Sequence, residues 1–141
     1  MGTAAGTIRL LLVGRAESCR EIRAALGQSE LKHEVVEAAN CRQAKRLLAR
    51  EKVTVVLCQK NLRDGTWESV LRHALGAESK PSVIVCYRHA DERLWAKVLN
   101  LGAHDLLLSD PVIPDELVRV VAAADRACPQ ASEQRRVAAS N

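Results

Sequence analysis

The sequence contains no phenylalanine, one tyrosine and two tryptophans. So few aromatics leave no stacking platform of the kind that reads single-stranded nucleic acid. No apolar run approaches the roughly 18 residues of a membrane-spanning helix, so no membrane contact is expected. Met1 to Thr7 has neither a charged start nor an apolar stretch; no export signal is read there, and a cytoplasmic location is the expectation. The charge is nearly balanced, 21 Lys and Arg against 17 Asp and Glu, with no basic block. Nucleic acid is therefore not an expected partner. The five cysteines, at 19, 41, 58, 86 and 128, include no C-x-x-C pair. Zinc sites need ligands paired at short spacing, so no metal is expected, and free cysteines then behave as small apolar residues. Gly14 stands alone rather than in a G-x-G-x-x-G or Walker loop, so no nucleotide cradle and no cofactor are expected.

What is present is a regular alternation within 141 residues, a length suited to one domain. Short apolar runs, many rich in valine and isoleucine, alternate with segments of helical period. Thr7 to Val13 is nearly continuous in apolar residues, which suits a strand covered on both faces. Glu17 to Leu26 repeats Cys19, Ile22, Ala25 and Leu26 at helical spacing, and Gly27 is expected to stop it. His33 to Ala39 is less apolar and reads as an edge strand. Asn40 caps a predicted helix over Cys41 to Glu51 with Ala44, Leu47 and Leu48 inward. Val53 to Cys58 is the most strand-like stretch and the expected centre. Thr66 opens a helix with Trp67, Val70, Leu71 and Ala74 on one face. Ser82 to Cys86 is a fourth strand. Asp91 caps a fourth helix expected to turn Leu94, Trp95, Val98 and Leu101 inward, ended by Gly102. Asp105 to Leu108 is a fifth strand. Pro114, Asp115 and Glu116 begin a fifth helix through Leu117, Val120, Val121 and Ala124.

Five strand–helix units with crossover helices require a parallel sheet with right-handed connections. The expected fold class is α/β, a flavodoxin-like three-layer sandwich with strand order 2-1-3-4-5. The domain is read as 8–127, with a flexible leader over 1–7 and a frayed tail over 128–141. Ligands of such folds bind outside the carboxyl ends of the strands. The residues to inspect are Gly14, Arg15, Ala16 and Glu17; Gln59, Lys60, Asn61 and Asp64; Cys86, Tyr87 and Arg88; and Ser109, Asp110 and Pro111.

Three stretches carry a resemblance. Asn61-Leu62-Arg63-Asp64-Gly65 resembles the N-L-P-D-G turn that follows the third strand of response-regulator receiver domains (CheY-like). Leu101-Gly102-Ala103-His104-Asp105 resembles their L-G-A-x-D entry to strand five. Asp110-Pro111, with Asp115-Glu116-Leu117, resembles their K-P-F…P-x-E-L ending. Motif order and spacing match from about Ile8 to Arg126. The resemblance implies a CheY-like fold and a role in two-component, phosphorelay signalling.

It does not bring the family's chemistry with it. Receivers hold Mg²⁺ with two acidic residues after strand one, where this chain has Gly14 and Arg15. The phosphoacceptor Asp aligns with Gln59, and the Ser/Thr after strand four aligns with Cys86. The Lys before the cis-proline aligns with Ser109 or Asp110, and the strand-five aromatic is Leu106. Phosphoryl transfer to a carboxylate needs that carboxylate, and Mg²⁺ wants oxygen ligands. Glu17 and Asp64 are expected to point away. The reading is a degenerate pseudo-receiver: not an enzyme, not phosphorylated, and acting through a protein partner or a second copy of itself. The resemblance implies the face of the fourth helix, fifth strand and fifth helix, around Trp95, Leu99, Val112 and Val118.

Alternatives stay open at this point. Arg15 and Lys60 offer an anion site, making the pocket a small-anion or ligand sensor. Gln59 either meets such a ligand or satisfies neighbouring groups beside Arg15 or Asn61. Cys86 with His89 or His104 offers a thiol nucleophile, against which no activating base or helix terminus is evident.

Overall fold

In the first strand, β1 (Ile8–Val13), successive side chains point to opposite faces. Ile8, Leu10 and Leu12 join one apolar cluster and Leu11 and Val13 the other, all buried. A strand apolar on both sides must be covered on both sides, and layering follows from that requirement. A computed structural model describes residues 6–89 and 92–130. Most of the expected leader and tail, and Asp91, lie outside the described residues.

The elements after β1 are α1 (Ala16–Gly27), β2 (His33–Ala38), α2 (Cys41–Arg50) and β3 (Val55–Gln59). Then come a miniature hairpin, β4 (Asn61–Leu62) and β5 (Gly65–Thr66), and α3 (Trp67–Leu75). The chain continues through β6 (Ser82–Tyr87), α4 (Glu92–Asn100), β7 (Asp105–Leu108) and α5 (Pro114–Ala127). The main sheet is parallel, in the order β2-β1-β3-β6-β7. Apart from the hairpin, this is the 2-1-3-4-5 order and the CheY-like arrangement. β2 lies at one edge and β3 at the centre.

Two clusters fill the spaces between layers. On one face Leu10, Leu12, Leu57, Ile84 and Leu107 pack against Ile22 and Leu26 of α1 and Leu117 and Val121 of α5. On the other, Leu11, Val13, Val56, Cys58 and Val85 pack against α2, α3 and α4. Cys58 and Cys86 thus lie on opposite faces of the sheet, and all five cysteines are free and buried. Among the described residues no helix is long and apolar enough to cross a membrane.

The base of the sheet is closed by polar contacts. Thr54 Oγ1 donates to Asp125 Oδ1 at 2.6 Å, with both residues buried. Ser79 Oγ donates to the Val53 carbonyl at 2.9 Å, and Cys128 Sγ reaches the Ser79 carbonyl at 3.2 Å. These contacts tie the C-terminal end of α5 to the amino edge of the strands, far from the edge where ligands bind.

The fourth helix corrects the sequence reading. Leu94 and Val98 are buried as expected, but Trp95 and Leu101 are 46% and 44% exposed. The buried pair is four residues apart, one turn of a single stripe. Trp95 sits about 100° round from Leu94 and leaves that stripe. Leu101 lies beyond the helix, where Gly102 turns the chain with φ +103°. Gly27 does not stop α1 but is its last residue. Trp67 is 2% exposed and is buried with Val70, Leu71 and Ala74, the face its spacing indicates.

Leu10, fully buried beneath α1 and α5, tests the core. Leu10→Ala removes buried apolar surface and leaves a cavity, so urea unfolding at pH 7 is expected to show a loss of about 2–5 kcal/mol. Leu75→Ala, at a 52% exposed position, is expected to change stability by less than about 0.5 kcal/mol.

Candidate functional site

At the carboxyl edge the sheet register brings three strand ends together. Val13 pairs with Cys58, and Gln59 pairs with Cys86. The Lys60 amide donates to the Cys86 carbonyl at 3.1 Å, extending the β3–β6 contact beyond the ladder. A cleft of about 390 Å³ opens here, lined by Arg15 and Ser18 from β1–α1, Gln59, Lys60 and Asn61 after β3, and Cys86 to His89 after β6. A neighbouring hollow of about 510 Å³ shares Arg15 and Asn61 and is bordered by Ala39, Asn40 and Arg63.

The floor is set by one packing relation. Gly14 is buried with φ +155°, and the side chain of Gln59 lies directly over it. A Cβ on residue 14 would run into the Gln59 Cγ, so glycine is required both by backbone conformation and by contact. The Gln59 side-chain amide makes no hydrogen bond among the described residues, to neighbouring backbone groups or to Arg15 or Asn61. Every buried side-chain N or O atom among the described residues has a partner, so this amide head is solvent-accessible.

The remaining residues are placed unequally. Arg15 is exposed at the N-cap of α1, with no side-chain hydrogen bond to the helix. Cys86 contributes to the wall but is fully buried in the α1–α5 layer. Burial, with a further push from Cys19, raises its thiol to about 12, so it is protonated at neutral pH and unsuited to nucleophilic work. Ser109 does not line the cleft; its N–H and hydroxyl both reach the Tyr87 carbonyl, at 2.9 and 3.3 Å. Asp110 is exposed outside the lining, and its peptide to Pro111 is cis. Of the expected interaction residues, Leu99 is exposed, while Val112 and Val118 are half-buried. Ser18 is a lining residue the sequence reading missed; its place three residues after Arg15, in the first turn of α1, is the signal that could have found it.

Asp64 does point away, and the structure shows what engages it. It sits at the tip of the β4–β5 hairpin, whose base is closed by the Trp67 amide donating to the Lys60 carbonyl at 3.1 Å. Its carboxylate accepts from the Cys41 amide at 2.7 Å and the Arg42 amide at 3.1 Å. Asn40 Oδ1 accepts from the Gln43 amide at 2.9 Å. The first three N–H groups of α2 are thereby satisfied by side chains from two segments. Gly65 abuts the Cys41 sulfur, where a Cβ would approach to 3.1 Å. The motif resembling N-L-P-D-G therefore docks the hairpin on α2.

The Mg²⁺ implied by the fold family does not fit these residues. Gly14 offers no side-chain oxygen, Arg15 brings positive charge, and Gln59 supplies only a neutral amide. Among the described residues no group of three His, Cys, Asp or Glu is placed to hold a metal ion.

No family model matches the chain, and no curated protein sequence matches it. Solved structures do. The signal receiver domain of an HD domain-containing protein from Pseudomonas fluorescens Pf-5 is 23% identical. It superposes with a TM-score of 0.76 over 92% of this chain and 93% of that one. The response regulator domain of Thermotoga maritima CheB is 17% identical with a TM-score of 0.75, covering 87% and 99%. The receiver domain of a sensor histidine kinase from Pseudomonas aeruginosa PAO1, with magnesium coordinated in its active site cleft, is 22% identical. Its TM-score is 0.73, covering 86% and 99%. These likenesses establish that the chain has the receiver fold.

Two predictions follow from this geometry. Gly14→Ala is expected to cost about 1–3 kcal/mol in denaturant unfolding, by overpacking at a strained φ. Adding Gln59→Ala recovers the steric part of that loss and leaves the backbone part; independent, additive losses would refute the packing relation. Asp64 is held below its ordinary value, chiefly by the Cys41 amide. Its contribution to stability is therefore present above the unfolded value near 3.8 and lost as pH falls through the lower folded value. Asp64→Asn should lower Tm at pH 7, and the gap from wild type should narrow in thermal scans taken below about pH 4.

Proposed function

We propose that this chain is a receiver-fold domain of two-component signalling that is not phosphorylated and acts by binding other proteins. The observation that carries the reading is the end of β3, where Gln59 lies over Gly14 in the place a phosphoacceptor carboxylate would need. An amide is a poor nucleophile and forms no acyl phosphate. The two acidic positions that hold a cation in receivers are a buried glycine and an exposed arginine.

Output then comes from contact. The face of α4, β7 and α5 exposes Trp95, Leu99 and Ile113, with Val112 and Val118 half-buried beside them. Exposed tryptophan with neighbouring apolar side chains is the composition of an interface anchor. The partner is a signalling protein or a second copy of the chain. Five free buried cysteines fit a reducing cytoplasm, where the domain is placed by this proposal. No catalytic role is assigned to it.

The test is the intact mass of the protein after incubation with Mg²⁺ and a small acyl-phosphate donor. No gain of a phosphoryl group is expected, and Gln59→Asp alone is not expected to restore one while Arg15 remains. A stoichiometric gain on the wild-type chain would overturn the proposal.

A further inference from the structure

We propose that the cleft at the carboxyl edge of the sheet binds a small phosphate-bearing ligand reversibly, with Arg15 and Arg88 gripping it from two sides. β3 runs between β1 and β6, so Arg15 after β1 and Arg88 after β6 flank the residues at its end, Gln59 and Lys60. All four line the same cleft, with the Ser18 hydroxyl beside them. Among the described residues no carboxylate lines it.

Some basic side chains elsewhere on the surface are held in ion pairs. Arg9 pairs with Glu34 and Glu51, Arg23 with Glu37, and Lys97 with Glu68. Arg15 and Arg88 have no such pairing among the described residues. Of the acids close in sequence, Asp64 is turned to α2, while Glu17 and Asp110 are exposed outside the lining. Concave walls of one sign concentrate counter-ions. Guanidinium forks match the paired oxygens of a phosphate, and a hydroxyl and an amide add the neutral contacts that orient it. At about 390 Å³ the cleft falls within the range of small-molecule sites, with room beyond the phosphate for a small organic group.

The inference rests on the reading that β3 carries no phosphoacceptor, and the two fail separately. Covalent phosphorylation is read by mass, reversible binding by titration. The full chain is titrated with inorganic phosphate and with glycerol phosphate at fixed ionic strength, with chloride as control. Binding is followed by amide NMR shifts and by Tm. Saturable shifts at Arg15, Ser18 and the Gln59 side chain are expected, with a Tm that rises with ligand concentration. Tighter binding of glycerol phosphate assigns the ligand as a phosphomonoester, and equal or tighter binding of phosphate assigns the free ion. Arg15→Ala and Arg88→Ala each weaken binding about tenfold or more, and Arg15→Lys retains only part of it. Both side chains are exposed, so the variants should keep the wild-type Tm in chloride. No saturable shift, a response equal to that of chloride, or unchanged affinity in the double Arg15→Ala, Arg88→Ala variant would overturn the proposal.

Discussion

The contact between Gln59 and Gly14 decides what the carboxyl edge of the sheet can hold. An acidic side chain at position 14 would occupy the space that the Gln59 stem fills. A carboxylate at 59 would face Arg15 rather than a paired acid and its metal. Each residue makes sense only with the other, and both remove negative charge from the same few ångströms. With no carboxylate in the described lining, Arg15 and Arg88 give the described walls their positive sign. Concave walls of that sign favour an anion over a cation.

The central strands are buried on both faces, which fixes their register because a one-residue slip would exchange the two apolar sets. That register carries Gln59 beside Cys86 and sets the ends of β1, β3 and β6 level with one another. The hairpin after β3 is held independently, by Asp64 and Gly65 against the start of α2. Asp64, the acid nearest in sequence to Gln59, is therefore committed to a helix terminus. Its lowered pKa reflects hydrogen bonds from that helix and carries no implication of catalysis.

The elements were legible because their patterns are local. Continuous apolar runs marked β1, β3 and β6, the 3.6-residue stripe marked α1, α2, α3 and α5, and Asn40 caps α2 as its position indicated. Legibility failed where the deciding partner is distant in sequence. Nothing near Asp64 indicates that it caps a helix starting 23 residues earlier, and nothing near Thr54 announces the buried contact with Asp125, 71 residues on. Trp95 has two sequence readings, inward and in the interaction face, for a different reason. Hydrophobicity alone does not tell an inward stripe from an outward anchor on a helix as short as α4. The cleft was legible in part: strand ends named Arg15, Gln59, Lys60 and Arg88, but the absence of Asp110 and Ser109 from its lining depends on how the β7–α5 loop runs.

A reversible occupant places a quantitative constraint on signalling that a covalent one does not. A ligand at ten times its dissociation constant stabilises the state it binds by only about 1.4 kcal/mol over a state that does not bind it. Switching the domain by such a ligand therefore requires two conformations already within about 1–2 kcal/mol of each other. Such near-balance is easiest to maintain in segments with little buried surface. The stretch of chain after β6 begins with Arg88 and His89, both exposed and both in the cleft lining. It joins the charged cleft to the helix that presents Trp95. If the cleft and the apolar face communicate, this short stretch is the most direct covalent route between them, and the energy available to move it is bounded by the affinity of the anion.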